Sequence, residues 1–291
     1  MIYYLLLGVS VILAACKSSL YNSYAKGNSP TLSTTFRFNA LSYGVAALIT
    51  LIGTLLSGER ISLTTVACAF FYAVIVISLQ TVSITAMSVG AMSTTAICVM
   101  YGMIIPAVAG PIFWQEPIGV LQIVGISMML ISLWLIRGKS ENEKGTAARK
   151  WIALAILAFF LSGMAGVMEK IHQSTAAWEE RLSFVFIACA FMLAFSLAAI
   201  PVTRKRGEKK PSPSMLRVAV LSGVVIGFYS TVNLILSGKL DSMIYYPIAN
   251  GGAMILTVAA SAIIFKESFD KKRVTGILLG VLGILCLSLP I

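Results

Sequence analysis

An all-α integral membrane protein, with ten transmembrane helices set out as two inverted five-helix repeats, is the fold this sequence predicts. Three observations carry the prediction. Of 291 residues, 58% are hydrophobic and only 11% charged, and the mean hydropathy is +0.91, a profile no water-soluble domain shows. The apolar residues gather into ten runs, each near the ~20 residues that span a hydrocarbon core as a helix. A stretch over 92–126 returns over 243–277, displaced by 151 positions. In lipid the runs must be helices, because an open strand edge would leave backbone N–H and C=O groups unpaired.

The runs fall at 2–22, 31–56, 62–83, 87–112, 118–136, 151–171, 182–201, 215–236, 242–265 and 273–290. The first is interrupted by Lys17, lacks a basic start and has a counterpart in the sixth, so it reads as a span and not a removable signal. The third and fourth are divided by the polar residues 85–88; joined, they would be too long for a bilayer. The fifth follows Glu116 and Pro117, and Pro is a favoured first helical residue. A polar linker over 137–150 separates the halves, giving units 1–140 and 151–291. Gly102 and Pro106 in the fourth run, and Pro247, Gly251 and Gly252 in the ninth, weaken those helices, and interrupted midplane helices often line transport sites.

Identical pairs across the 151-residue shift include Met92/Met243, Ile104/Ile255, Glu116/Glu267 and Gly125/Gly276. The glutamates are the informative pair, since carboxylates are scarce here. Each half holds five spans. Five is odd, so the second copy enters the membrane upside down, with Glu116 and Glu267 toward opposite sides. Loops after odd-numbered spans carry roughly 17 Lys and Arg and the opposite loops about four. The positive-inside rule then places the basic loops in the cytoplasm and both termini outside.

The five cysteines all lie inside apolar runs with no CxxC or Cys/His spacing, which speaks against a metal site or a disulfide framework. The net charge of +11 sits in short loops, where a membrane surface explains it better than nucleic acid does. No Ser/His/Asp arrangement and no phosphate-binding glycine loop is present, so neither a cofactor nor a catalytic centre is expected. The Gly276–Gly280–Gly283 spacing reads as a small-residue packing face.

The chain resembles the drug/metabolite transporter superfamily, in its ten-span EamA-like branch. The resemblance rests on the five-plus-five duplication and on the span ends Phe113-Trp114-Gln115-Glu116 and Ile264-Phe265-Lys266-Glu267. The Gly-rich last span and the polar lead from Ser29-Pro30 to Arg37 add to it. It implies a secondary transporter of a small metabolite or drug-like molecule in the cell membrane, working by alternating access around a central site between the repeats. Members are usually described with cytoplasmic termini, the reverse of what the charge count gives. The small multidrug-resistance branch is similar to one half of such a chain but carries a mid-span carboxylate where this sequence has Lys17. The alternatives are a lipid-linked sugar flippase of similar fold or, less favoured by the scattered carboxylates and single histidine, a membrane-embedded lipid-processing enzyme.

Polar groups inside spans are costly and each needs a reason. The candidate substrate-binding residues are Lys17, Arg37, Gln80, Tyr101, Glu169, Tyr229, Asn233, Tyr246 and Asn250. Lys17 either snorkels to the interface or serves as a cavity cation. Glu169 occupies a depth matching Lys17 in the sixth span, which predicts a Lys17–Glu169 contact. Tyr229/Asn233 and Tyr246/Asn250 are four apart, so each pair shares a helix face. A phenol and an amide on one face suit a hydroxylated or zwitterionic small molecule, or plain interhelical hydrogen bonding. His172 is either an interfacial polar residue or a proton shuttle. Glu116 and Glu267 are expected at helix starts, stabilised by the helix dipole and outside the site.

Overall fold

The computed structural model describes residues 2–28, 31–90, 92–136, 146–204, 212–263 and 271–288. Among them the secondary structure is helical, with no strand. The elements are α1 (Ile2–Asn28), α2 (Leu32–Ser57), α3 (Leu63–Val89), α4 (Met92–Tyr101), α5 (Ile104–Trp114) and α6 (Val120–Ile136). They continue as α7 (Thr146–Gln173), α8 (Arg181–Thr203), α9 (Pro213–Ser237), α10 (Ser242–Ile263) and α11 (Lys271–Ser288). Seven helical stretches are long and apolar enough to cross a membrane, one of them combining α4 and α5, and α6 and α11 contain shorter apolar helices. Leu56, Leu63, Phe113, Val120 and Val202 stand largely exposed on the outer surface. An apolar exterior on this scale belongs in lipid and not in water. The molecule is an all-α multi-pass membrane protein.

The helices follow the apolar runs with four instructive differences. α3 continues through 85–88 and ends at Gly90. The hydroxyls expected to break it do not, because Thr85 donates to the Thr81 carbonyl (2.7 Å) and Ser88 to that of Thr85 (2.8 Å). Hydroxyls that bond back within their own helix are compatible with its continuing. The fourth span is broken at Gly102–Met103 into α4 and α5. Pro106 explains the break: it lacks the N–H that would reach the Gly102 carbonyl, and its ring would crowd that carbonyl. The ninth run, expected to be weakened in the same way, stays one helix, α10, with Pro247 in its second turn. Lastly, α6 begins at Val120 and not at Pro117, with the Gly119 N–H donating to the Gln122 side chain at its start. Glu267 lies outside the described residues.

The packing pairs come as exchanges between halves. α2 packs on α8, and α6 on α11; α2 on α9 is matched by α3 on α8, and α3 on α7 by α1 on α9. α1 on α10 is matched by α4 and α5 on α7. The α6–α11 crossing is closest at two glycines: a Cβ on Gly125 would sit 2.6 Å from the Gly283 carbonyl oxygen. Two large apolar cores result, with smaller clusters beside them. One gathers Leu7, Ile97, Tyr101, Leu236, Tyr245 and Ile284; the other gathers Tyr43, Ala73, Ile77, Phe184, Cys189 and Leu234.

Candidate functional site

Between the two cores lies a cavity of about 160 Å³. Helical periodicity aims its lining. Residues three or four apart share a face, so α1 contributes Ala14, Lys17, Ser18 and Tyr21, and α3 contributes Tyr72, Val76, Gln80, Ser83 and Met87. From the second half α7 presents Ser162, Gly166 and Glu169, α9 presents Tyr229 and Asn233, and α10 presents Tyr245, Tyr246 and Asn250. Gly166 lets α7 approach closely: a Cβ there would lie 3.1 Å from Pro106 and 3.2 Å from the Tyr246 ring.

Lys17, Gln80, Glu169, Tyr229, Asn233, Tyr246 and Asn250 all line this cavity. Lys17 and Glu169 are on its wall together, but they do not form the contact expected between them. The Lys17 ammonium sits 3.9 Å from the centroid of the Tyr229 ring. The Glu169 carboxylate accepts instead from the Tyr72 hydroxyl (2.9 Å). Asn233 accepts from Ser10 on α1 (2.6 Å), and Tyr246 donates to the Gly166 carbonyl (2.8 Å). Asn250 donates to the Tyr246 carbonyl of its own helix (3.0 Å). Arg37 and Tyr101 are not among the lining residues. The Tyr101 hydroxyl shares a hydrogen bond with Ser132 (2.8 Å), which donates to the Gly276 carbonyl (2.6 Å). Tyr101 thus belongs to the seam between α4, α6 and α11.

Four lining tyrosines lie outside the predicted site residues: Tyr245, next to Tyr246, and Tyr21, Tyr43 and Tyr72. For Tyr21 and Tyr72 a signal was present. Tyr21 is four residues after Lys17, and Tyr72 is eight before Gln80, so each shares a face with a residue already singled out. Tyr43 donates to the Gln80 side-chain carbonyl, a contact between α2 and α3 that no local spacing announces.

Beyond Glu169, the end of α7 enters a second polar region. His172 is fully buried. Its Nε2 lies 3.2 Å from the Thr65 hydroxyl and its Nδ1 3.0 Å from the Gln173 amide nitrogen. Gln173 Oε1 accepts from Arg181 Nε (3.0 Å), which fixes the amide. An amide nitrogen only donates, so Nδ1 accepts and Nε2 donates. Above His172, α3 and α8 exchange carboxylate caps. Glu180, at the start of α8, accepts from the Ser62 N–H and hydroxyl (2.8 Å each) at the start of α3. Glu59, before α3, accepts from the Ser183 N–H of α8 (3.0 Å). Burial works against ionisation of Glu180, but hydrogen bonds from Thr65 and Ser62, with His172 nearby, hold its carboxyl below the usual carboxylate range.

Glu116 does not cap a helix start as expected. It precedes α6 by several residues and pairs with Lys170 of α7 (2.8 Å), its side chain folded over Gly110, where a Cβ would lie 2.3 Å from Glu116 Oε2. Adjacent residues of α7 therefore face different surroundings, Glu169 the cavity and Lys170 the Glu116 carboxylate.

Residues 149–289 match the model of the EamA-like transporter family, which bears out the resemblance to the drug/metabolite transporter superfamily. In fold the chain is similar to a protein of known crystal structure, with a TM-score of 0.70 at 10% sequence identity, over 98% of this chain and 96% of that one. That likeness is one of fold alone. No curated protein matches in sequence.

Proposed function

We propose, from the premise that residues 149–289 form an EamA-like transporter unit, that the chain is a secondary transporter of the cell membrane. It moves a small polar molecule by alternating access, with the cavity between the halves as its central site. The observation that carries this reading is the cavity's composition: both halves line it, and it holds a lysine, a glutamate, two asparagines and a glutamine at membrane depth. Such groups are expensive in lipid unless they serve a pathway or a ligand. The exchange pairs of packing helices support two units, 1–140 and 151–291, related by a twofold axis in the membrane plane. A relation of that kind would let one arrangement of the halves face each side of the membrane in turn.

The cavity volume sets a scale. About 160 Å³ is close to the ~150 Å³ of an engineered cavity that takes up benzene, so the cavity suits a ligand of a few heavy atoms. The test is flux. Cells with and without the protein are given a panel of labelled small metabolites, and expression should change uptake or efflux of at least one. A panel with no difference at normal membrane insertion would sink the transporter reading. Orientation is tested separately: an engineered cysteine near position 205 should resist impermeant thiol reagents applied outside intact cells.

A further inference from the structure

The cavity wall carries one ammonium, Lys17, and one carboxylate, Glu169. Opposite charges sharing a site screened from water gain most by direct contact. Here each is seated on its own partner: Lys17 over the Tyr229 ring at 3.9 Å, Glu169 Oε1 under the Tyr72 hydroxyl at 2.9 Å. That bond leaves Glu169 Oε2 without a protein donor. Two further groups on the same wall have open hydrogen-bonding capacity. Gln80 Nε2 and Ser83 Oγ are buried without a hydrogen-bond partner, one turn apart on the cavity face of α3. Gln80 is 3% exposed and Ser83 4%. A buried donor left unpaired is costly, and such exceptions call for a missing partner. Tyr43 holds Gln80 Oε1, which leaves Nε2 as the end with an open valence, on a residue of the cavity wall.

Resting on the reading of this cavity as the transport site, we propose that its ligand is a small zwitterion of zero net charge. Its anionic group is met by Lys17 and Gln80 Nε2, and its cationic group by Glu169. The wall charges already balance one another. A net cation would satisfy Glu169 and leave Lys17 facing a like charge; a net anion would do the reverse. A wholly apolar drug would bury both wall charges and both open donors without replacing their interactions. Only a ligand with both charges closes all of them at once, and the ring of tyrosines supplies phenol hydroxyls and apolar faces for the short chain between.

The test is direct binding to the purified full-length protein in detergent, read as thermal stabilisation and by equilibrium competition. The probes are alanine and serine, their methyl esters (cations) and their N-acetyl forms (anions). The wild type should bind a zwitterion at least tenfold more tightly than either monocharged form. Lys17→Met should shift preference to the ester and Glu169→Gln to the N-acetyl form, while Lys17→Arg and Glu169→Asp keep the zwitterion preference. Size-exclusion profiles matching the wild type confirm that the variants are folded. A wild type that binds an ester or N-acetyl probe as well as the zwitterion, or binds none of the three classes, overturns the inference. So do variants whose charge preference does not move. Flux of some other small molecule would then still uphold the transporter reading, whereas a metabolite panel without any flux would sink that reading whatever the probes show.

Discussion

One turn of α7 separates two polar regions built on opposite plans. Around His172 the polar groups are engaged with one another. Glu180 takes two donors from Ser62, Glu59 takes the Ser183 N–H, and His172 is held through both ring nitrogens. Around Glu169 the charges are kept apart on aromatic partners, and Gln80 and Ser83 keep open valences. The first region ties α3 to α8, one helix from each half, with Arg181 Nη2 and Ser183 Oγ buried there without a partner. The second holds its helices together less completely and keeps its hydrogen-bonding capacity in reserve. What sets the second region apart is that its charges and open groups belong to residues lining one cavity shared by both halves.

The comparison is broken first at the cavity, where the largest effect on activity is expected. Lys17→Met and Glu169→Gln should each abolish flux while the protein inserts and accumulates normally. Loss of a charged hydrogen bond to a ligand is worth roughly 1.5–3 kcal/mol, about 10- to 100-fold in affinity. Thermal unfolding of these variants should move little. The caps should behave the other way round. Glu180→Gln combined with Ser62→Ala should lower the unfolding midpoint modestly, since hydrogen bonds at a half-exposed cap contribute about 0.5–1.5 kcal/mol each, with the cavity chemistry unchanged. Because the Glu180 carboxyl is held below its ordinary range in the folded protein, its contribution is present above the unfolded carboxylate range and is lost as pH falls through the lowered folded value. Thermal unfolding of the wild type should therefore lose stability on acidification over that window, and Glu180→Gln should flatten the loss.

The smallest effect on flux is expected at Glu116. Its pair with Lys170 is mostly buried, at 11% and 15% exposure, so removing one partner destabilises the fold by leaving the other charge uncompensated. Glu116→Gln should keep most of the flux while lowering the unfolding midpoint. A Glu116 variant that stops transport as fully as Glu169→Gln would erase the distinction between the two neighbours on α7.

Much of this was legible in the residues, and the limits have physical causes. Span positions follow from hydrophobic run length, which bilayer thickness dictates. Lys17 and Glu169 stood out because charge at membrane depth demands a reason. Their separation could not be read, because it depends on Tyr72 and Tyr229, residues from two other helices. Thr85 and Ser88 looked like a break, since a sequence shows polarity but not that a hydroxyl bonds back to its own helix. Tyr101 shares its residue type and depth with the cavity tyrosines; only the packing of α6 and α11 against it directs its hydroxyl to Ser132. Glu116 was tied to the helix that follows it, whereas its partner Lys170 lies in the other half of the chain.

The most direct test of the cavity as the transport site is to plug it. Ser230 lines it on α9, one residue past Tyr229. In a background with the five native cysteines replaced, Ser230→Cys is reconstituted into liposomes and treated with a small methanethiosulfonate reagent, and flux of the substrate found in the metabolite panel is measured. The account predicts that modification stops flux and that excess substrate slows the modification. Fully modified protein that transports at the unmodified rate would contradict it.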